Sequence, residues 1–156
     1  MAIPYYNTSV SMSQSKNDID SLLKQMGAIA IQWTDTIESI KGLECPVLQF
    51  AVVRKSNGIE QRYVVKLQAP ALTELKGTKY NKKKSINLNA SMRLLYWYVK
   101  SKSEAMRYGL EEFVEAFMAN ILIPLPDGST TTMGEALKNK PEMLAKTFQL
   151  SDFGGH

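Results

Sequence analysis

Apolar residues recur along this chain with two different spacings, and each spacing predicts one type of secondary structure. The first helical spacing runs from a predicted N-cap at Ser15 to a stop at Gly27. Its apolar face is formed by Ile19, Leu22, Leu23 and Met26. Residues 1–14, which precede it, are rich in Ser, Thr and Asn, and we predict that they form an extended arm.

Strand-like alternation follows this helix. Residues 28–36 alternate weakly and residues 47–55 alternate clearly, so both are predicted strands, with a connection between them. Asn57-Gly58 then supplies the positive φ angles that a type I′ turn requires. We therefore predict that residues 59–69 return as the antiparallel partner strand and end at Pro70.

A second helical spacing covers residues 86–119, which we predict to be one long helix that Gly109 kinks or divides. The stripe that should face the core consists of Leu88, Met92, Leu95, Val99, Met106, Leu110, Phe113 and Phe117. The residues between the hairpin and this helix, 72–84, contain Gly77 and three consecutive lysines. They are expected to form a polar connection.

The remaining residues predict a short strand, a turn and a last helix. Residues 121–125 are the strand, and Pro126-Asp127-Gly128 is the turn. Thr131 or Thr132 should cap a helix over residues 133–148, which Pro141 breaks near its middle.

The element order α-β-β-β-α-β-α predicts an α+β fold. We expect a three-stranded antiparallel sheet with the long helix packed on one face. A chain of 156 residues has the usual size of one domain. We assign that domain to residues 15–150, preceded by the arm and followed by a flexible tail at residues 151–156.

Positive charge is concentrated in one part of the sequence. The chain has a net charge of +4, but the stretch from Lys76 to Arg107 has nine Lys and Arg residues against one acid, Glu104. That stretch therefore carries +8 and the rest of the chain −4. Such asymmetry predicts a surface that attracts an anion, either nucleic acid or an acidic partner.

The basic stretch also supplies the candidate binding residues. Cations that could hold phosphates are Lys82, Lys83, Lys84, Arg93, Lys100, Lys102 and Arg107. Trp97 and Tyr80 could stack on unpaired bases. Helical spacing places Arg93, Trp97, Lys100 and Arg107 on one side of the long helix, where Glu104 can pair with Lys100. The structural alternative is a solvated helix face with aromatic side chains half-buried at its edges.

The sequence lacks the residues that most enzyme classes need, so no catalytic residue, cofactor or metal is predicted. The only histidine, His156, is the last residue, and no glycine-rich phosphate loop is present. Cys45 is the only cysteine and is expected to be a partly buried thiol. A weak third function is a metal-dependent nuclease, with Glu74-x-Lys76 and Glu60 as its acids and lysine.

Partners and location follow from the same residues. Glu111 and Glu115 share a helix face and could contact the basic stretch of a second subunit, which would make a homo-oligomer. No apolar run reaches the ~18 residues of a membrane span, and the N-terminus lacks the pattern of a signal peptide. We therefore expect a cytoplasmic protein with no membrane partner, and no small-molecule substrate is predicted.

Two sets of residues form a pattern that extends over most of the chain. One set is Ser15-Lys16, Leu22-Leu23 and Gly27-Ala28. The other is Val99-Lys100-Ser101-Lys102-Ser103-Glu104-Ala105, Gly109, Glu111-Glu112-Phe113, Ala119, Leu125-Pro126-Asp127-Gly128, Thr132 and Gly134-Glu135. Together they resemble a family of small proteins that phages and bacterial mobile elements encode, a family without an assigned function. The chain departs from the family pattern at Trp33-Thr34-Asp35 and in the longer connection through Cys45. The resemblance implies a phage or mobile-element setting, and for such a protein the host cytoplasm.

The leading hypothesis from the sequence is a non-enzymatic nucleic-acid-binding protein of a phage or mobile element. We expect single-stranded DNA as its ligand, in replication or recombination. The alternative is a protein–protein interaction module, such as an inhibitor or adaptor. Helix, three strands and helix also follow one another in double-stranded-RNA-binding domains, and three strands with a long helix form the core of some strand-annealing proteins. Both are likenesses of fold alone.

Overall fold

The computed structural model describes residues 3–34, 39–40 and 43–139. The helices within these residues are α1 (Met12–Gln25), α2 (Leu88–Arg107), α3 (Phe113–Phe117) and α4 (Met133–Asn139), with a 3₁₀ turn at Met118–Asn120. The strands are β1 (Ala28–Thr34), β2 (Ser39–Ile40), β3 (Leu43–Glu44), β4 (Val47–Ser56), β5 (Ile59–Gln68), β6 (Thr73–Thr78), β7 (Asn81–Ile86), β8 (Leu122–Pro124) and β9 (Thr130–Thr132). This mixture confirms the predicted α+β class.

The central sheet has three strands in the order β1-β4-β5, and both pairs are antiparallel. The β4–β5 hairpin closes at Asn57 (φ 52°) and Gly58 (φ 80°), as the Asn-Gly pair predicted. On the other side of β4, Ile31 of β1 lies opposite Phe50. The register therefore gives all three strands a common apolar face.

That inner face carries the hydrophobic core. Its buried strand residues are Leu48, Phe50, Val52, Val65 and Leu67. The buried helix residues packed against them are Ile19 and Leu23 of α1 and Met92, Leu95 and Val99 of α2. Both helices thus cover one face of the sheet, as the amphipathic spacing predicted for the long helix.

Helices α1 and α2 run parallel to each other. Near their N-terminal ends, the Met12 backbone N–H donates to Asn89 Oδ1 at 2.9 Å. One turn and a half further along α1, Asp18 contacts Arg93. Gln25 of α1 and Ser103 of α2 line one cavity near the C-terminal ends. Consequently the two N-termini meet at one end of the molecule and the two C-termini at the other.

Helix α1 begins earlier than the sequence predicted. Ser11 is the N-cap, and its hydroxyl accepts a hydrogen bond from the Gln14 backbone N–H at 3.1 Å. Ser15, the predicted cap, is fully buried inside the helix. Both serines suit a cap by type, and Ser11 takes it because the extra turn lets Met12 pack against the core.

The predicted long helix is divided in two. Helix α2 ends at Arg107, and Gly109 adopts φ 77°, a conformation that glycine accommodates without strain. Helix α3 then starts with a capping box between Glu112 and Glu115. The predicted division at Gly109 is confirmed, and the first of the two helices begins at Leu88 instead of residue 86.

The C-terminal elements follow the sequence prediction as far as residue 139, except that residues 130–132 form the strand β9, which pairs with β8 and was not predicted. Gly128 closes the turn between β8 and β9 with a hydrogen bond from its backbone N–H to the Leu125 carbonyl, at 3.0 Å. The Thr132 hydroxyl accepts from the Glu135 backbone N–H and caps α4. The predicted break at Pro141, the tail and residues 35–36 of the first strand lie outside the described residues.

Cys45, two residues before the start of β4, is fully buried, and this burial raises the pKa of its thiol.

In residues 3–34, 39–40 and 43–139, no helix has the length and apolar character that a membrane span needs.

We predict that Phe117→Ala lowers the free energy of unfolding by about 3–5 kcal/mol. Its ring is fully buried and meets Phe50 edge-to-face, with 5.5 Å between ring centroids. Urea denaturation followed by circular dichroism measures the loss. Val114→Ala, on the exposed side of the same helix, is the control and should cost less than about 1 kcal/mol. Equal losses in the two variants would contradict this view of the core.

Candidate nucleic-acid interface

The lysine-rich segment that we expected to be a polar connection is an antiparallel hairpin. Strands β6 and β7 pair along their whole length, from Thr73 opposite Ile86 to Thr78 opposite Asn81. We call residues 73–86 the basic hairpin. The prediction of an irregular connection was wrong. Lysine favours strands only weakly, but cross-strand hydrogen bonds satisfy the backbone here.

The register places lysines on both faces of the basic hairpin. Lys82 lies opposite Gly77 and Lys84 opposite Leu75, so these two lysines share one face. Lys83 lies opposite Lys76 on the other face. Cations therefore surround the hairpin on both sides, whereas the sequence alone indicated only a run of charge.

The basic hairpin projects into solvent and ends in an aromatic side chain. Every residue from Leu75 to Lys84 is exposed, and Tyr80 at the tip is 92% exposed. The Lys79 ammonium lies 6.0 Å from the centroid of the Tyr80 ring. With five lysines and one acid, the hairpin carries +4, which equals the net charge of the whole chain.

The three consecutive lysines have no ionic partner among the described residues, whereas Lys76 has one. Lys76 Nζ lies 3.3 Å from Glu74 Oε1 at the base of the hairpin. Lys82, Lys83 and Lys84 make no ion pair in the part of the chain that the structure describes. Their ammonium groups are thus free to meet an external anion.

Asn87 holds the basic hairpin in place. Its backbone N–H donates to the Leu72 carbonyl at 2.8 Å, and its Oδ1 accepts from the Ala90 backbone N–H and caps α2. Its Nδ2 donates to Glu74 Oε2 and to the Tyr6 carbonyl, both at 3.2 Å. One side chain therefore joins the hairpin, α2 and the N-terminal segment. In the sequence, an Asn directly before a helical spacing is the signal that would have indicated Asn87 as a helix cap.

Gly77 fixes the shape of the hairpin near its tip. It adopts φ 134°, and a Cβ atom at this position would overlap the Asn81 carbonyl oxygen across the hairpin. A larger residue would therefore push the two strands apart. The close approach explains why a glycine stands between Lys76 and Lys79.

The Arg93 side chain is largely buried and does not face solvent. Its Nη1 lies 3.1 Å from Asp18 Oδ2, and its guanidinium lies 3.9 Å from the centroid of the Tyr96 ring. The side chain is only 14% exposed. Arg93 thus joins α2 to α1, and the neighbouring Trp97 remains 43% exposed beside it.

The other predicted cations of α2 lie away from the hairpin. Lys100 pairs with Glu104 at 3.7 Å, as the i,i+4 spacing predicted. Lys102, about 200° further round the helix, pairs with Glu111 at 3.7 Å. Arg107 ends the helix, about 30 Å from its start at 1.5 Å per residue. The nine predicted residues therefore form two groups: the hairpin with Tyr80, and a dispersed set along α2.

The helix N-termini add positive potential at the base of the hairpin. Each N-terminus carries roughly half a positive charge from aligned peptide dipoles. The ends of α1 and α2 meet there through the contact between Met12 and Asn89. The hairpin therefore lies at the more positive end of the paired helices.

Residues considered for other chemistry have structural partners. Glu74 contacts Lys76 and Asn87, while Glu60 lies across from Lys55 near the turn of the other hairpin. Glu115 accepts from the Glu112 backbone N–H within the capping box. No group of three or more His, Cys, Asp and Glu side chains is arranged for a metal ion within the described ranges.

We predict that the pair of Asp18 and Arg93 is coupled more strongly than the pair of Lys100 and Glu104. A double-mutant cycle with Asp18→Asn and Arg93→Gln should give a coupling of about 1 kcal/mol or more, because Arg93 is largely buried. The cycle with Lys100→Gln and Glu104→Gln should give about 0.3–0.5 kcal/mol, since Glu104 is exposed and Lys100 is only half-buried. Urea unfolding measures both, and a reversed order would contradict the structural role of Arg93.

No protein-family model matches the chain, and neither a curated protein nor a solved structure is significantly similar to it.

Proposed function

We propose that the protein binds nucleic acid through the basic hairpin, with single-stranded DNA as its ligand. The observation that carries this proposal is a projecting hairpin with three unpaired lysines and an exposed tyrosine at its tip. In this proposal the protein is non-enzymatic and serves the replication or recombination of a phage or mobile element.

The physical case begins with charge. Each lysine that neutralises a phosphate releases condensed counterions, which favours binding most at low salt. Lysines on both faces let the hairpin lie against a strand that bends around it. Their long side chains can follow a flexible backbone without requiring one fixed geometry.

Tyr80 supports a single strand over a duplex. A base must be unpaired and unstacked before a protein ring can stack on it, and such stacking is worth about 1–3 kcal/mol per base. The exposed ring at the hairpin tip has both faces open to such a base, apart from the loose contact with Lys79. Trp97 on α2 offers a second exposed ring further along the molecule.

A protein–protein interaction module is the second candidate function, and a different surface supports it. Leu110, in the connection between α2 and α3, is 80% exposed, and Val114 and Met118 in the following segment are 36% and 53% exposed. Several exposed apolar side chains in one segment are typical of a contact with another protein. In that case the basic hairpin would meet an acidic surface instead of phosphates.

We predict that the wild-type protein binds a labelled single strand of about 30 nucleotides at low salt. Its affinity for the strand should fall steeply as the salt concentration rises. Replacing Lys82, Lys83 and Lys84 together by Gln should weaken binding by about tenfold to a hundredfold. The same change should make the slope of log affinity against log salt shallower by about 2. Fluorescence anisotropy measures both quantities.

The matched control removes the same charge elsewhere. It replaces three exposed lysines outside the hairpin, Lys24, Lys55 and Lys138, by Gln. This triple variant should retain binding within about threefold, because only long-range attraction is lost. Equal loss in both triple variants would mean that net charge, not the hairpin, determines binding. No binding at low salt would reject the proposal.

We also predict that Gly77→Ala weakens strand binding by about fivefold or more while every charge is retained. The added Cβ overlaps Asn81 across the hairpin, so the spacing of the lysines changes. Thr78→Ala, its exposed neighbour, is the control and should bind like wild type. Anisotropy at one fixed salt concentration compares them, and unchanged affinity in Gly77→Ala would show that hairpin shape is irrelevant.

A further inference from the structure

A cavity of about 590 Å³ lies where the C-terminal ends of α1 and α2 meet β4. Its lining residues are Gln25, Met26, Arg54, Ser103, Met106 and Arg107. Two are arginines, two are neutral polar residues and two are methionines, and none is acidic. The cavity lies at the opposite end of α2 from the basic hairpin.

Arg54 presents a fixed guanidinium to this cavity. Its Nη2 donates to the Met26 carbonyl at 2.9 Å and its Nη1 to the Val53 carbonyl at 3.3 Å. The guanidinium also lies 5.0 Å from the centroid of the Phe113 ring. These contacts use two of its five N–H donors, so the remaining donors are available at low cost in side-chain entropy.

Arg107 is the second cation, and it is exposed on the last turn of α2. Its guanidinium lies 5.8 Å from the centroid of the Tyr108 ring. Neither arginine contacts a carboxylate among the described residues. Both guanidinium groups line one cavity whose lining residues include no acid, so both would attract an anion held there.

The helix dipoles leave this positive charge only partly compensated. The C-terminal ends of α1 and α2 each contribute roughly half a negative charge. These partial charges are smaller than the two full positive charges of Arg54 and Arg107. The arginines therefore do more than neutralise the helix ends.

We propose that this cavity binds a phosphate monoester carried on a nucleoside-sized molecule. Arginine forks match phosphate oxygens in pairs of hydrogen bonds, and the Ser103 hydroxyl and Gln25 amide add donors. The volume falls in the range of small-molecule sites and exceeds that of a phosphate alone. Met26 and Met106 give an apolar wall for a base or sugar.

Two kinds of ligand carry such a phosphate monoester: a free nucleoside monophosphate, and a nucleic-acid strand with a 5′-phosphate at its end. The site is separate from the basic hairpin, so it stands whether or not the hairpin binds nucleic acid.

Isothermal titration of the full chain with deoxyadenosine 5′-monophosphate tests the site, with deoxyadenosine as the uncharged reference. We expect the monophosphate to bind at least tenfold more tightly than the nucleoside. Arg107→Gln should weaken that binding about tenfold, and Arg107→Lys should restore it only in part. Lys100→Gln removes one charge from the same helix outside the cavity and should change affinity less than twofold.

Equal binding of nucleotide and nucleoside would overturn the proposal, as would wild-type affinity in Arg107→Gln. A strand of about ten nucleotides with and without a 5′-phosphate then separates the two sources. Tighter binding of the phosphorylated strand, lost in Arg107→Gln, identifies the strand end. Equal binding of the two strands, with retained nucleotide binding, identifies the free nucleotide.

The two proposals fail separately. The triple lysine variant of the hairpin should lose strand affinity and keep nucleotide affinity. Nucleotide binding that disappears in this variant would show that the cavity is not the site.

Discussion

Burial of the inner face of β4 is the constraint on which the rest of the structure depends. Leu48, Phe50 and Val52 alternate on one side of the central strand and are almost completely removed from water. Both neighbouring strands must match that alternation, since a shift by one residue would turn their apolar side chains outward. The apolar stripes of α1 and α2 then have only one surface on which they can be buried.

The position of the candidate interface follows from this packing. Because α2 is fixed on the sheet, its N-cap Asn87 has a fixed place, and the basic hairpin is held to Asn87 by backbone and side-chain hydrogen bonds. Lysines cannot enter the core without a large desolvation cost, so the hairpin stays outside it. Hydrogen bonds hold its base to Asn87, and Tyr80 at its tip is exposed. That arrangement suits contact with a ligand larger than the protein's own cavities.

Local signals in the sequence predicted most of the central fold. Asn57-Gly58 determined a turn through its own backbone preferences, and Gly109 divided the second helical spacing in the same way. The basic hairpin escaped prediction because its two-residue loop, Lys79-Tyr80, carries no turn signal and lysine is a weak strand former. The start of α1 was missed because Ser11 and Ser15 are chemically equivalent caps, and tertiary packing chooses between them.

The candidate site was predictable only in part, for reasons of distance along the chain. The lysine run and Tyr80 could be identified from charge and residue type alone. The partner of Arg93 could not, since Asp18 lies 75 residues away and meets it only after the helices pack. Arg54 was overlooked for the same reason: on a strand it is an ordinary polar residue, and its place beside Arg107 depends on where both helices end.

The central claim is that the basic hairpin is the surface that meets a nucleic-acid strand, and chemical-shift mapping by NMR tests it most directly. Titration of ¹⁵N-labelled protein with a short single strand should perturb backbone amides mainly within residues 73–86, with the largest shifts around Tyr80. Chemical-shift changes that are absent from these residues and concentrate instead on the face of the sheet opposite the helices, or on α3, would contradict the account.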